Sequence, residues 1–103
     1  EHTWCYFYEK VELAVQLENW EEVTFLGEEA IRLELHPEDL SEWLPFLYGY
    51  AITGNETRVK QTAPKINADR SLRLQACDML TGIENSVTSE VQELIATLYC
   101  KSK

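Results

Sequence analysis

Apolar residues along this chain recur at spacings of three and four, and no segment shows the period of two that a half-buried strand requires. Trp4, Phe7, Val11 and Ala14 mark one face of a first helix, beginning at His2 or Thr3 and reaching Glu18. Leu13 and Leu17 widen that face, so the pattern predicts a helix covered by two neighbours. A tight turn is expected at Glu18-Asn19-Trp20. Asn19 is a good N-cap, and Glu22 stands three residues later in the capping-box arrangement. The second helix is expected over 20–35, with Val23, Leu26, Ala30, Ile31 and Leu33 inward. Glu28 and Arg32, one turn apart, form its expected ion pair. His36-Pro37 stops it, because proline cannot continue a helix and disfavours helix at the preceding residue.

Ser41 is the expected cap of a third helix over 42–53, with Pro45 in the first turn, where a missing N–H costs little. Gly54 closes it in left-handed geometry. A fourth helix begins near Glu56 and carries Val59, Ala63 and Ile66. Pro64 is expected to kink or end it. Asp69 caps a fifth helix reaching Thr81, with Leu72, Ala76, Met79 and Leu80 inward and Gly82 at its end. Ser86 or Thr88 opens a sixth, with Val91, Leu94, Ile95, Leu98 and Tyr99 on one face. The expected fold is all-α, one domain over 1–103: hairpins at 3–35 and 41–66, then capping helices at 69–101.

The two hairpins repeat each other. Phe7 falls on Trp43, Val11 on Leu47, Ala14 on Tyr50 and Glu18 on Gly54. Val23 falls on Val59, Gly27 on Ala63 and Ala30 on Ile66, each at an offset of 36 residues. A helix–turn–helix unit of roughly 34 residues is the tetratricopeptide period. Trp43, Leu47, Tyr50 and Gly54 sit where that family has its Trp, small residue, Tyr and turn Gly. The turn Glu18-Asn19-Trp20-Glu21-Glu22-Val23 looks like its Gly-Asp-Tyr-x-x-Ala. The chain thus resembles the tetratricopeptide family over residues 4–70. It departs at Glu18, which replaces the turn glycine, at Gly27, which replaces a large aromatic, and at Pro64.

That resemblance implies a short solenoid whose first helices line a peptide groove. The groove positions would be Cys5, Tyr8, Glu12, Val15 and Gln16, then Ser41, Leu44, Tyr48, Ala51 and Ile52. Tyr8, Glu12, Gln16, Leu44, Tyr48 and Ile52 are the candidate binding residues. None of the ten is Lys or Arg, so the basic clamp that some family members use for a terminal carboxylate is missing. A protein or peptide partner with a basic or apolar segment is expected. The strings Trp4-Cys5-Tyr6-Phe7-Tyr8-Glu9-Lys10 and Ser41-Glu42-Trp43-Leu44-Pro45-Phe46 also resemble the soluble C-terminal region of bacterial multi-span membrane proteins of glycosyltransferase type. That likeness implies the alternative role of a structural appendage to a larger protein.

Charge sharpens the partner expectation. Residues 1–42 hold twelve acidic and two basic side chains, a net of −10; residues 43–103 hold six and seven, a net of +1. An acidic half disfavours nucleic acid and anionic membrane surfaces, which need Lys and Arg. The apolar content of 45% suits a folded core. No apolar run suits a membrane span, and self-association remains compatible with the pattern. The chain opens on Glu1 rather than Met, as a processed product or a piece of a longer protein would. Cys5, Cys77 and Cys100 have no metal or redox spacing, and each is expected to pack as a small hydrophobe, as in a reducing compartment. His2 and His36 have no ligand spacing either, and no phosphate loop or nucleophile motif is present. No cofactor and no catalysis are expected.

Overall fold

In the computed structural model, which describes residues 3–101, the chain is all-α. Its helices are α1 (Trp4–Gln16), α2 (Trp20–Arg32), α3 (Leu44–Ile52), α4 (Glu56–Asn67), α5 (Arg70–Thr81) and α6 (Ser89–Leu98). Short 3-10 turns stand at Leu40–Trp43 and Glu84–Ser86, and no strand occurs among the described residues. The alternative helix start at His2 lies outside the described residues.

Local chemistry sets most boundaries. The side chains of Asn19, Asn55, Asp69 and Thr88 accept from the backbone N–H of Glu22, Arg58, Leu72 and Val91. Each cap satisfies a donor that the first helical turn leaves open. The ends of α1 and α3 match bond for bond at the 36-residue offset. The N–H of Asn19 returns to the Ala14 carbonyl, and that of Asn55 to the Tyr50 carbonyl. Glu18 and Gly54 both take positive φ, 55° and 76°. Both ends are thus Schellman-type closures.

Four expectations need correction at this level. Asp39, not Ser41, is the cap before α3: it receives the Ser41 N–H and opens a 3-10 turn, so α3 itself starts at Leu44. Helix α2 stops at Arg32, because Glu34 takes φ 58° and the Leu35 N–H returns to Ala30; Leu33 is therefore exposed. Pro64 does not end α4, which runs on to Asn67. Pro64 and Lys60 are both exposed, so solvent hydrates the carbonyl that loses its bond, while buried Val59, Ala63 and Ile66 carry the helix across. Glu28 pairs with Arg58 of α4 at 2.6 Å, while Arg32 pairs with Glu29.

Helices α1, α3 and α5 neighbour one another in series; α2 packs on α1 and α3, and α4 on α3, α5 and α6. Every apolar position named in the repeat is buried: Phe7 and Trp43, Val11 and Leu47, Ala14 and Tyr50, Val23 and Val59, Ala30 and Ile66. Leu13 and Leu17 are the exceptions to the predicted cover of α1, at 56% and 68% exposure. Ile31, Met79, Leu94 and Leu98 are half-buried against the core rather than inside it. Tyr99 is buried and its Oη donates to the Val59 carbonyl at 2.6 Å, tying the end of α6 to α4. No helix among the described residues is long and apolar enough to cross a membrane.

The cysteines do not behave as expected. Cys77 and Cys100 form a disulfide with Cα atoms 5.0 Å apart, joining α5 to the residues after α6, and Cys5 is exposed. Twenty-three residues separate the partners, so sequence spacing gave no hint of the pairing. Closing a loop of that length stabilises by about 3 kcal/mol in the chain-entropy account. Reduction of Cys77–Cys100 should lower the urea midpoint accordingly, and a Cys77→Ser/Cys100→Ser variant should match the reduced protein. The turn geometry makes a second prediction. Glu18 holds a left-handed conformation that costs a non-glycine residue about 1 kcal/mol, so Glu18→Gly should stabilise by up to about that amount. Gly54→Val should destabilise by about 1 kcal/mol or more. Urea unfolding of both variants checks the pair.

Candidate functional site

The seam between α1 and the start of α3 gathers the greatest number of the sequence-derived candidates. Helical spacing sets Tyr8 and Glu12 one turn apart on α1, and Tyr8 Oη donates to Glu12 Oε2 at 2.8 Å. From the same helix Trp4 Nε1 donates across the seam to Glu42 Oε1 at 2.7 Å. Beside them lies a cleft of about 330 Å³ lined by Thr3, Trp4, Cys5, Tyr8, His36, Glu38 and Glu42. A second cleft of about 230 Å³ follows, lined by Glu12, Val15, Gln16 and Pro45. Neither is lined by Lys or Arg. Tyr8, in the wall of the first cleft, is half-buried, and its phenol is pushed from 10.0 up to about 12. Burial is the largest cause; Glu12, Glu42 and Asp39 add to it, because a phenolate there would face carboxylates.

The remaining candidates stand as follows. Tyr48 is half-buried and stacks on Trp20 at 5.1 Å between centroids and 15° between planes, so one ring face is taken. Leu44 packs against the core, Ile52 is half-buried, and Ala51 is fully buried. Ser41 donates its hydroxyl to Asp39 at 2.8 Å. Thus Tyr8, Glu12 and Gln16 line the clefts, whereas Leu44, Tyr48 and Ile52 do not. Sequence reasoning missed Pro45, Glu38 and Glu42 as walls, and Trp20 as the cover of Tyr48. Trp4 is buried in the core as expected, and its indole N–H reaches Glu42, since a buried indole seeks an acceptor.

A broader cleft of about 590 Å³ lies between the Leu40–Trp43 turn and α5, lined in part by Asp39, Ser41, Asp69 and Gln75. Of its three carboxylates, Glu38, Asp39 and Asp69, the two aspartates are engaged as caps. Among the described residues no three His, Cys, Asp or Glu side chains gather in a metal-binding group.

Comparison of the chain with protein-family models, with curated proteins and with solved structures gives no match.

The seam's electrostatics are directly measurable. Tyr8 should titrate near pH 12, and Glu12→Gln should lower that midpoint by removing the charge and leaving only a neutral, weaker acceptor. The sign is that of a raised acid: the stabilisation that neutral Tyr8 contributes is complete below pH 10 and is lost as pH rises through about 12. Carbon-13 labelling at the tyrosine Cζ resolves Tyr8 from the other phenols; an unchanged midpoint in Glu12→Gln would contradict the hydrogen bond.

Proposed function

We propose that this chain is a protein-interaction domain, a short tetratricopeptide-like solenoid whose α1/α3 face holds an extended segment of a partner protein. The observation that carries this reading is the pair of clefts along α1, one lined by Tyr8, Glu38 and Glu42 and the other by Glu12, without any lining Lys or Arg. A segment alternating basic and apolar residues fits them: its cations meet the carboxylates, and its apolar side chains meet Trp4, Val15 and Pro45. The solenoid reading draws support from the matched turns at Glu18 and Gly54 and from the series α1, α3, α5. Helix α6 packs on α4 and α5 and lines neither cleft, which leaves the seam open to a partner.

Steering by the acidic half would speed encounter, while contacts around Tyr8 would set the lifetime of the complex. The test is titration with a Lys/Leu peptide too short to form a helix and with its Glu/Leu counterpart. The Lys/Leu peptide should shift amide signals of Tyr8, Glu12 and Gln16, and its association should slow as salt rises. Tyr8→Ala should weaken binding by about 2 kcal/mol, the usual scale for a central interface aromatic. Glu12→Lys should reverse the preference between the peptides. Shifts confined to other helices, with Tyr8→Ala neutral, would remove this reading.

A further inference from the structure

The outer edge of the first hairpin carries a second apolar surface, away from the seam. Tyr6, Lys10, Leu13 and Leu17 follow each other on α1 at spacings of four, three and four, which makes one stripe. Leu13 and Leu17 are more than half exposed, and so is Phe25 of α2, at 57%. Lys10, Leu13, Ala14, Leu17, Asn19 and Glu22 enclose a cleft of about 200 Å³ along it. Lys10 bends back so that its ammonium lies 5.5 Å from the Tyr6 ring centroid.

The repeat says what such a stripe is for. Thirty-six residues on, its positions are Glu42, Phe46, Gly49 and Thr53. The two that lie within α3 meet α2: Gly49 lies against Val23, and Phe46 against Gly27. Glu22 likewise corresponds to Arg58, the residue that reaches across to Glu28 of the preceding hairpin. The first hairpin therefore exposes, on its free side, the counterparts of the positions through which the second hairpin receives a helix. The side chains differ: Leu13 stands where the second hairpin has Gly49, so a helix seated here packs on leucines rather than into a glycine gap, and where the second hairpin offers Arg58, the first offers Glu22.

We propose that the Tyr6–Leu13–Leu17–Phe25 edge is the seat of an amphipathic α-helix from a partner protein, with apolar residues at three- and four-residue spacing and a basic residue opposite Glu22. The occupant is basic because residues 4–35 hold eight acidic and two basic side chains, with Glu18 and Glu21 exposed near the stripe. The same count disfavours a second copy of this chain, which would bring a like-charged hairpin to the edge. This surface stands independently of the seam, and the two can be separated experimentally.

The probe is a synthetic 18-residue Leu/Lys helix with one leucine face, compared with its Leu/Glu counterpart, titrated into the full chain. The Leu/Lys helix should bind and shift the amides of Leu13, Leu17 and Phe25. Leu13→Asp/Leu17→Asp should weaken it at least tenfold at an unchanged melting temperature, since both side chains are exposed. Glu22→Lys should transfer the preference to the Leu/Glu helix. Glu12→Lys in the seam should leave this binding within twofold while abolishing that of the short Lys/Leu peptide. Equal affinity of the Leu13→Asp/Leu17→Asp variant would overturn the proposal. So would sedimentation showing a wild-type dimer that this variant dissolves, which would assign the edge to a second copy.

Discussion

The close approach of α2 to α3 is the constraint on which the rest of this molecule depends. Two glycines make it possible, one on each helix. At Gly27 an added Cβ would overlap the hydroxyl of Tyr50, and at Gly49 it would overlap Val23. Each helix thus offers a gap that the other fills, and packed interiors tolerate little change in either. The large aromatic that the first hairpin lacks at Gly27 is supplied from the second by Tyr50. The cost is visible at Tyr50 itself, whose buried hydroxyl has no hydrogen-bond partner among the described residues. Once α2 and α3 are locked, the Glu28–Arg58 pair forms between hairpins and the α1/α3 seam acquires its width.

How much of this was legible from the sequence follows from the range of each interaction. The caps need information from three or four residues: Asn19 and Asp69 were read as caps and Thr88 as one of two alternatives with Ser86, while the cap at Asn55 was not read, because Asn55 directly follows the Gly54 that closes the preceding helix. The buried stripe needs one helix's periodicity, and it was readable too. The pairing of Glu28 spans 30 residues and depends on where Arg58 arrives; the local rule chose Arg32 instead. The disulfide depends on the end of α6 returning to α5, which no spacing encodes. Leu13 and Leu17 show the limit most plainly. Hydropathy says that a face prefers cover, but it does not say whether the chain supplies that cover.

The candidate site divides along the same line. Tyr8, Glu12 and Gln16 are set by one helix, so their common face was readable. Their partners across the seam, Glu42 and Pro45, come from the irregular stretch before and at the start of α3, where Asp39 rather than Ser41 sets the register. Shifting that start by two residues changes which side chains meet α1. Tyr48 was read as an anchor for a ligand, and its ring had already met Trp20. An aromatic on a groove-facing position can be satisfied inside the fold before any ligand arrives.

The acidic half of the chain links these surfaces. Several of its carboxylates are engaged locally: Glu12 by Tyr8, Glu42 by Trp4, Glu28 by Arg58 and Glu29 by Arg32. Two of those partners, Tyr8 and Trp4, are neutral, so they satisfy oxygens without cancelling charge. The residual field around the first hairpin therefore stays negative, and it opposes compaction through self-repulsion. A cationic partner at the seam or at the outer edge relieves that repulsion as well as making its own contacts. Because such a partner binds the folded state and not the unfolded one, its affinity adds directly to stability. Binding of the proposed partner and folding would thereby be coupled through one charge distribution, and the first hairpin, with its open apolar edge and net negative charge, is the part of the fold that would gain most from being occupied.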